Sequence, residues 1–291
     1  MRYSSGRCII VPVFTRMVRR ASALRGPLSV SRANAQEAPT GKADLHVHTN
    51  ASDGIADVRD VLESARQSQL DVLAITDHNT ISSALVARTI AHEYNLDVVI
   101  GQEVSTRQGH LLALFIKERI PPNRPMAETI DAVHNQGGLV IVPHPYDPIS
   151  FGVLNPWRRN MNENSLLKLD FDALEVFNAC LPGQRPNRKA QLLATRTDKA
   201  QVGGSDSHSA ATVAMAQTLF PGHTADDLHE AILSNQTEAI GQSWSLAQYI
   251  NLLGKREMRY AGIAAGYALG LCGATAMAAA LAMRSGITRL L

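Results

Sequence analysis

His46 and His48, with Val47 between them, are the residues whose types and spacing most directly suggest chemistry. The run from Ala43 to Val47 alternates apolar residues and ends in polar, turn-forming ones, which is the pattern of a short strand. Residues two apart on a strand share a face, so both imidazoles project to one point at its end. Asp53, in a turn closed by Gly54, adds a carboxylate. Imidazoles and carboxylates without a thiolate suit Zn²⁺, Mn²⁺ or Fe²⁺. A pair of surface histidines beside a turn is the alternative.

The elements that must position these groups follow in βαβα order, the signature of a parallel sheet. Val72 to Ile75 reads as a buried strand ending in Thr76-Asp77-His78-Asn79. Asp97 to Ile100 is a strand ending in Gly101-Gln102-Glu103, and His110 to Ile116 is another. Leu139 to Val142 leads into Pro143-His144-Pro145. Ala173 to Phe177 ends at Asn178, and Ala200 to Gly204 leads into Ser205-Asp206-Ser207-His208. Helices are expected over Asp57–Gln69, Ile81–Tyr94, Met126–Gln136, Arg188–Lys199 and Ala225–Ser234. His46, His48, His78, Glu103, His144, Asp206 and His208 thus all lie at or just past a strand's C-terminal end. In barrels of parallel strands that end carries the active site.

The 291 residues can hold one large domain plus extensions. Cys8, Cys180 and Cys272 are scattered and odd in number, so neither a disulfide framework nor a CxxC metal knuckle is indicated. Charge is segregated. Residues 1–36 hold seven arginines and no acid, residues 255–291 hold five basic residues against Glu257, and residues 37–254 carry a net of −9. An acidic body argues against a long groove for duplex nucleic acid. Bound divalent ions would reverse the sign locally, which favours a small anionic substrate or the end of a short oligonucleotide.

Residues 1–42 form a basic leader without sustained periodicity. It is expected to be a disordered tail or an overextended start, with Met17 as initiator, and an organellar transit peptide is the alternative. Residues 43–241 are expected to form the catalytic domain, followed by a linker over 242–259. Residues 260–283 are apolar apart from Thr275 and long enough to cross a bilayer, leaving 284–291 as a short tail. A transmembrane helix is expected there, with a soluble helix packed on the domain as the alternative. Gly262, Gly266 and Gly270 make a small-xxx-small face that permits helix pairing in a homo-oligomer. The basic excess on the N-terminal flank places the catalytic body on the cytosolic side of a membrane anchor; a soluble cytoplasmic protein is the other reading.

The ordered series HxHxxxSDG, TDHN, GxE, a histidine, PHP and GSDxH resembles the PHP (polymerase and histidinol phosphatase) family over about residues 44–240. The stretches Gln136 to Pro145 and Ala173 to Ala179 are also similar to small stand-alone members. The resemblance implies a distorted (β/α)7 TIM-like barrel, here followed by a single hydrophobic C-terminal helix, and two or three divalent ions. One ion would be held by His46, His48, Glu103 and Asp206. A second would share Glu103 and take His110 and His144, and a third would take Asp53, His78 and His208. Asp77 is expected to orient a ligand imidazole, whereas His92, His134, His223 and His229 read as surface residues.

The expected chemistry is hydrolysis of a phosphomonoester or short phosphodiester by metal-bound hydroxide, with Asp206, His208, Glu103 and His144 at the reacting centre. Nucleotide-like substrates, such as a 3′,5′-bisphosphonucleotide or a short RNA or DNA end, are what the small members suggest. Arg107, Arg185 and Arg188 are candidate phosphate clamps, against the alternative of solvated surface charge. Hydrolysis of a carboxylic or carbamate ester, and a non-catalytic membrane-tethered metal-binding module, are the competing functions.

Overall fold

The tetrads Val72-Leu73-Ala74-Ile75 and Leu139-Val140-Ile141-Val142 are strands over their whole length, and every residue in them is buried. Strands covered on both faces read as continuous apolar runs rather than alternating ones. The computed structural model describes residues 41–147, 149, 151–155, 161–181 and 184–254. The basic leader, the apolar segment 260–283 and the tail lie outside the described residues, as do the anchor and helix-pairing expectations attached to them. Among the described residues no helix is long and apolar enough to cross a membrane.

In chain order the strands are β1 (Gly41–Asp44), β2 (Val72–Ile75), β3 (Asp97–Ser105), β4 (His110–Leu114), β5 (Leu139–Val142), β6 (Ala173–Asn178), β7 (Ala200–Gly204), β8 (Ala216–Phe220) and β9 (Glu238–Gly241). The helices are α1 (Val58–Gln67), α2 (Ser82–Ile90), α3 (Met126–His134), α4 (Glu163–Leu166), α5 (Arg185–Ala194) and α6 (Ala225–Leu233). They start where the sequence supplies caps. Asp57 accepts the Asp60 amide at α1, and Thr224 with Asp227 forms a reciprocal capping box at α6.

The strands form one sheet in the order β7-β6-β5-β4-β3-β2-β1-β8-β9. Its outer parts meet. Val47, beyond β1, bridges Ser207, beyond β7, and the His48 amide donates to the Ser207 carbonyl at 2.8 Å. The Thr218 hydroxyl on β8 takes the Gly203 amide of β7 at 3.0 Å. The result is the expected α/β barrel, nearly closed. Its pairing is not uniformly parallel: β4 runs against β3 and β5, while β8 runs against β1 and β9. The reversal at β4 matters for the site. An antiparallel strand begins at the rim where its parallel neighbours end, so His110, the first residue of β4, joins the strand-end residues.

Alternate residues of single strands enter two different cores. Leu73 and Ile75 pack with Leu62 of α1, Ala84 of α2 and Val133 of α3, whereas Val72 and Ala74 pack with Leu228 and Ile232 of α6. At roughly 25 cal/mol per Å² of apolar surface buried, these two layers hold the barrel rigid beneath its rim. The expected helix 188–199 instead starts at Arg185 and stops at Ala194, because Pro186 suits the first turn. Strands β8 and β9, unanticipated from the sequence, cover the edge beside β1. The stretch expected to be a linker is packed as far as it is described. Trp244 and Leu252 are buried with Ala179 and Ala216, and residues 246–254 are helical.

Candidate metal centre and its pocket

Glu103 lies within β3 rather than after it, and its side chain is 1% exposed. Its two oxygens face five imidazoles. Oε2 stands 3.4 Å from His46 Nε2, 3.2 Å from His48 Nε2 and 3.2 Å from His78 Nδ1. Oε1 stands 2.7 Å from His110 Nδ1 and 3.1 Å from His144 Nε2. Asp206 Oδ1 approaches His46 Nε2 at 3.5 Å and His48 Nε2 at 3.3 Å. On the far side of His48, Asp53 lies 3.0 Å from His208 Nε2 and 3.9 Å from His78 Nε2.

All nine residues expected from the sequence therefore converge. Their donor atoms fall into four groups of metal-holding size: His48, Asp53, His78 and His208; His46, Glu103 and His144; His46, His48 and Asp206; and His78, Glu103 and His110. The expected trio of Asp53, His78 and His208 is reproduced, with His48 added. His110 and His144, expected to share an ion with Glu103, both approach its Oε1, at 2.7 and 3.1 Å, although each also groups with Glu103 and a further histidine. The ring centroids of these two are 5.8 Å apart and nearly perpendicular.

The cluster is built to hold positive charge. Buried nitrogens of His46 (Nε2), His48 (both), His110 (Nδ1) and His144 (Nδ1) lack an aligned hydrogen-bond partner, and orphaned buried polar atoms are costly unless something else satisfies them. Burial alone would depress these imidazoles, but neighbouring carboxylates reverse it. His48 is pushed up to about 10, with the nearby carboxylates of Asp206 and Glu103 outweighing desolvation, and His144 to about 9 through Glu103. Glu103 and Asp206 are held well below the usual carboxylate range despite burial, because histidines surround them. His78 goes the other way, to about 4, because desolvation dominates there. Ionised carboxylates that draw positive charge, beside imidazoles that become neutral donors once their protons are displaced, fit divalent ions.

Positioning comes from residues that the sequence reading did not assign. Glu175 on β6 accepts from His46 Nδ1 at 3.0 Å and from the His144 backbone amide at 2.7 Å. A carboxylate can only accept, so the His46 proton sits on Nδ1 and Nε2 is turned to the cluster, the carboxylate–histidine arrangement of metal sites. Asn178, the last residue of β6, donates to both Glu175 and Asp206, at 3.0 and 3.2 Å. The buried Asp44 takes the amides of His46, Ser205 and Ala214, tying the end of β1 to the end of β7. Gly204 has to be glycine, since a Cβ there would stand 2.4 Å from Glu175 Oε1 and 2.6 Å from His46 Cβ. The Glu in the strand Ala173–Phe177, a buried charge amid apolar residues, was the available signal.

Asp77 differs from its expected role. It accepts from the Thr49 amide and hydroxyl, at 2.8 and 2.7 Å, and from the Ser52 hydroxyl at 2.6 Å. It orders the loop that carries Asp53 rather than an imidazole. His208 instead donates Nδ1–H to the Asp206 carbonyl at 2.8 Å, which leaves Nε2 for the cluster. His144 (φ +27°) and Asp206 (φ +50°) both adopt the left-handed region, which costs on the order of 1–3 kcal/mol for such residues and concentrates at functional sites.

The cluster opens into a pocket of about 580 Å³. Arg107, Arg185 and Arg188 are not among its described lining residues. Arg107 is exposed and spends its Nε on the Asn123 carbonyl, and the other two lie exposed on the first turns of α5. As described, these side chains therefore point to no clamp role at the cluster. Among the surface histidines, His134 and His223 pair with Asp172 and Asp71, each at 2.9 Å, and His229 packs edge-on against Phe115.

The chain is matched by the PHP domain over residues 44–202 and by the PHP-associated region over residues 184–237. It belongs to the PHP domain family. An uncharacterized protein of Methanocaldococcus jannaschii, MJ1587, is 38% identical over 47% of this chain and 82% of its own length. A phosphoribosyl 1,2-cyclic phosphate 1,2-diphosphodiesterase of Eggerthella lenta is 38% identical over 27% of the chain, which spans 32% of that enzyme. Among solved structures, a two-domain protein of Bacteroides vulgatus containing a predicted PHP-like metal-dependent phosphoesterase superposes with a TM-score of 0.61 at 18% identity, covering 71% of this chain and 66% of that one. That likeness speaks to fold alone.

Proposed function

We propose that the protein is a metal-dependent phosphoesterase that hydrolyses a phosphomonoester or a short phosphodiester. The observation that carries this reading is the single buried carboxylate of Glu103 facing imidazoles of His46, His48, His78, His110 and His144 within 3.4 Å. His46, His48, Asp206 and Glu103 would hold one ion, Glu103 with His110 and His144 would reach a second, and Asp53, His78 and His208 a third. Bound there, divalent ions such as Mn²⁺, Zn²⁺ or Fe²⁺ supply an acidified water and neutralise phosphoryl oxygens.

The chain's own part is orientation. Glu175 keeps the His46 proton on Nδ1, and the Asp206 carbonyl does the same for His208. Their Nε2 atoms therefore stay available at the cluster. The two tautomers are set before any substrate arrives, so the site pays no reorganisation on binding. No serine or cysteine nucleophile is required.

The proposed substrates are nucleotide-like, a 3′,5′-bisphosphonucleotide or a short oligonucleotide end at the charged extreme and simpler phosphate esters at the other. The activity for which the Eggerthella lenta relative is named, on a phosphoribosyl cyclic phosphate, supports the phosphodiester part of that range. The test is metal content and phosphate release measured on one preparation of the full chain, beside Asp206→Ala and His208→Ala. Two or three ions per chain, with turnover lost in both variants, is the expected result. Folded wild-type protein that binds no divalent ion would overturn the proposal.

A further inference from the structure

The metal cluster forms only one side of its pocket. The other side is contributed by a single stretch near the end of the described chain: Trp244, Leu246, Tyr249, Leu252 and Leu253 all line it. Ile149 and Leu181 line it as well. This wall is built, not incidental. Ser245 and Gln248 exchange capping hydrogen bonds, the Gln248 oxygen accepting the Ser245 amide at 2.7 Å and the Ser245 hydroxyl accepting the Gln248 amide at 3.3 Å, which starts the helical turn carrying the leucines. The Trp244 amide donates to the Ala179 carbonyl at 2.9 Å, and the Tyr249 hydroxyl donates to the Cys180 carbonyl. The Trp244 ring stands edge-on to His208, a member of the metal cluster, with centroids 6.3 Å apart.

Two properties of the wall bear on what enters. First, its outer residues leave unusual apolar surface in water: Leu246 is 74% exposed, Leu253 60%, and Ile149 across the mouth 74%. Apolar side chains gathered at the mouth of a polar site are the arrangement that buries a ligand's apolar body. Second, no lysine or arginine occurs among the described lining residues, while Asp147, outside the metal-holding groups, adds a further carboxylate that is 4% exposed. A phosphate on the metal ions would be neutralised there. A second phosphate reaching the wall would be desolvated against leucines and a carboxylate, with no cationic side chain among the described lining residues to receive it.

We propose that residues 244–253 form the specificity wall of the site, selecting esters with one phosphate and an apolar body over esters that carry a second phosphate. This rests on the phosphoesterase reading and narrows its substrate range towards the singly phosphorylated end. The apolar body would lie along Leu246, Leu252 and Leu253, with the phosphate towards the end of the pocket lined by Glu103 and Asp206.

The test uses the full chain reconstituted with Mn²⁺ and two comparisons. In a series of n-alkyl phosphates, kcat/KM is expected to climb with chain length by up to about fourfold per methylene, the gain for burying one CH₂, and Leu253→Ala is expected to flatten that climb. Adenosine 3′-monophosphate is expected to be turned over more efficiently than adenosine 3′,5′-bisphosphate, and Leu253→Lys to shift that ratio towards the bisphosphate. A flat chain-length series, or a wild-type preference for the bisphosphate, would overturn the wall. Trp244 fluorescence in a Trp157→Phe background, titrated with the same alkyl phosphates, reads binding without turnover. Affinity that rises with chain length while no phosphate is released from any ester would sustain the wall and sink the phosphoesterase reading. Absence of both would sink the wall.

Discussion

The rim and the wall of the pocket hold their residues in opposite ways. At the rim, groups from β3 and β4 and from the loops after β1, β2, β5 and β7 meet, and several are fixed by a partner far away in sequence: His46 by Glu175, Ser205 by Asp44, the Asp53 loop by Asp77. The groups are buried, and several backbone angles are strained to place them. The wall is one continuous stretch, capped locally by Ser245 and Gln248, whose outer leucines remain in water. Chemistry that needs donor atoms placed to a few tenths of an ångström is built from the crossing of many strands. Recognition of an apolar shape can be left to a single helix turn, where a shift of similar size costs little contact.

That contrast can be broken or sharpened by experiment. The largest effect should come from Glu175→Gln at the rim. Removing its charge frees the His46 tautomer, and loss of such an outer partner typically weakens metal affinity or activity about 10- to 100-fold. The check is metal affinity by competition with a chelator, beside the circular dichroism spectrum. Unchanged affinity in a folded variant would mean that the rim does not depend on distant partners.

Acidity comes next. His48 and His144 are raised to about 10 and about 9 in the metal-free fold, so at neutral pH both hold protons that an ion must displace. Metal affinity should therefore fall as pH falls, by about tenfold per unit for each proton released. The same shifts give the metal-free protein stability that is fully present below the ordinary histidine pKa of 6.5 and is lost as pH rises through about 9 to 10. Thermal melts of metal-free and metal-loaded protein from pH 6 to 10 should diverge as pH rises, and parallel curves would contradict the assignment. The smallest effect belongs to the wall. Tyr249→Phe removes one hydrogen bond to the Cys180 carbonyl and should cost about 1 kcal/mol of stability, with metal content preserved. Loss of metal in that variant would tie wall and rim into one unit.

Several candidate site residues could be found from the sequence because they sit next to a strand end, where an apolar run stops and a polar cluster begins. His46, His78, His144 and Asp206 all announce themselves in this way. Local pattern does not carry pair relations, however. Nothing around Glu175 tells which imidazole it faces, and Asp77 looked like a histidine partner only because it adjoins His78. The wall escaped for the opposite reason. Ser245 to Gln248 is a readable capping box, but the leucines after it resemble the start of a tether when their burial partner, the pocket beside Ala179 and Cys180, is unknown.

By itself, then, the order of motifs along the chain determined the family and the barrel and, through the family resemblance, nine candidate side chains that the fold brings together, because motifs and hydrophobic periodicity are local properties. Only the tertiary structure decided the reversal of β4 that brings His110 to the rim, the approach of His110 and His144 to one oxygen of Glu103, the absence of the three arginines from the described pocket lining, and the closing of one side by residues 244–253. Each of those depends on which strands lie side by side and which way a side chain turns. Burial and long-range hydrogen bonds fix that geometry after the chain has folded on itself.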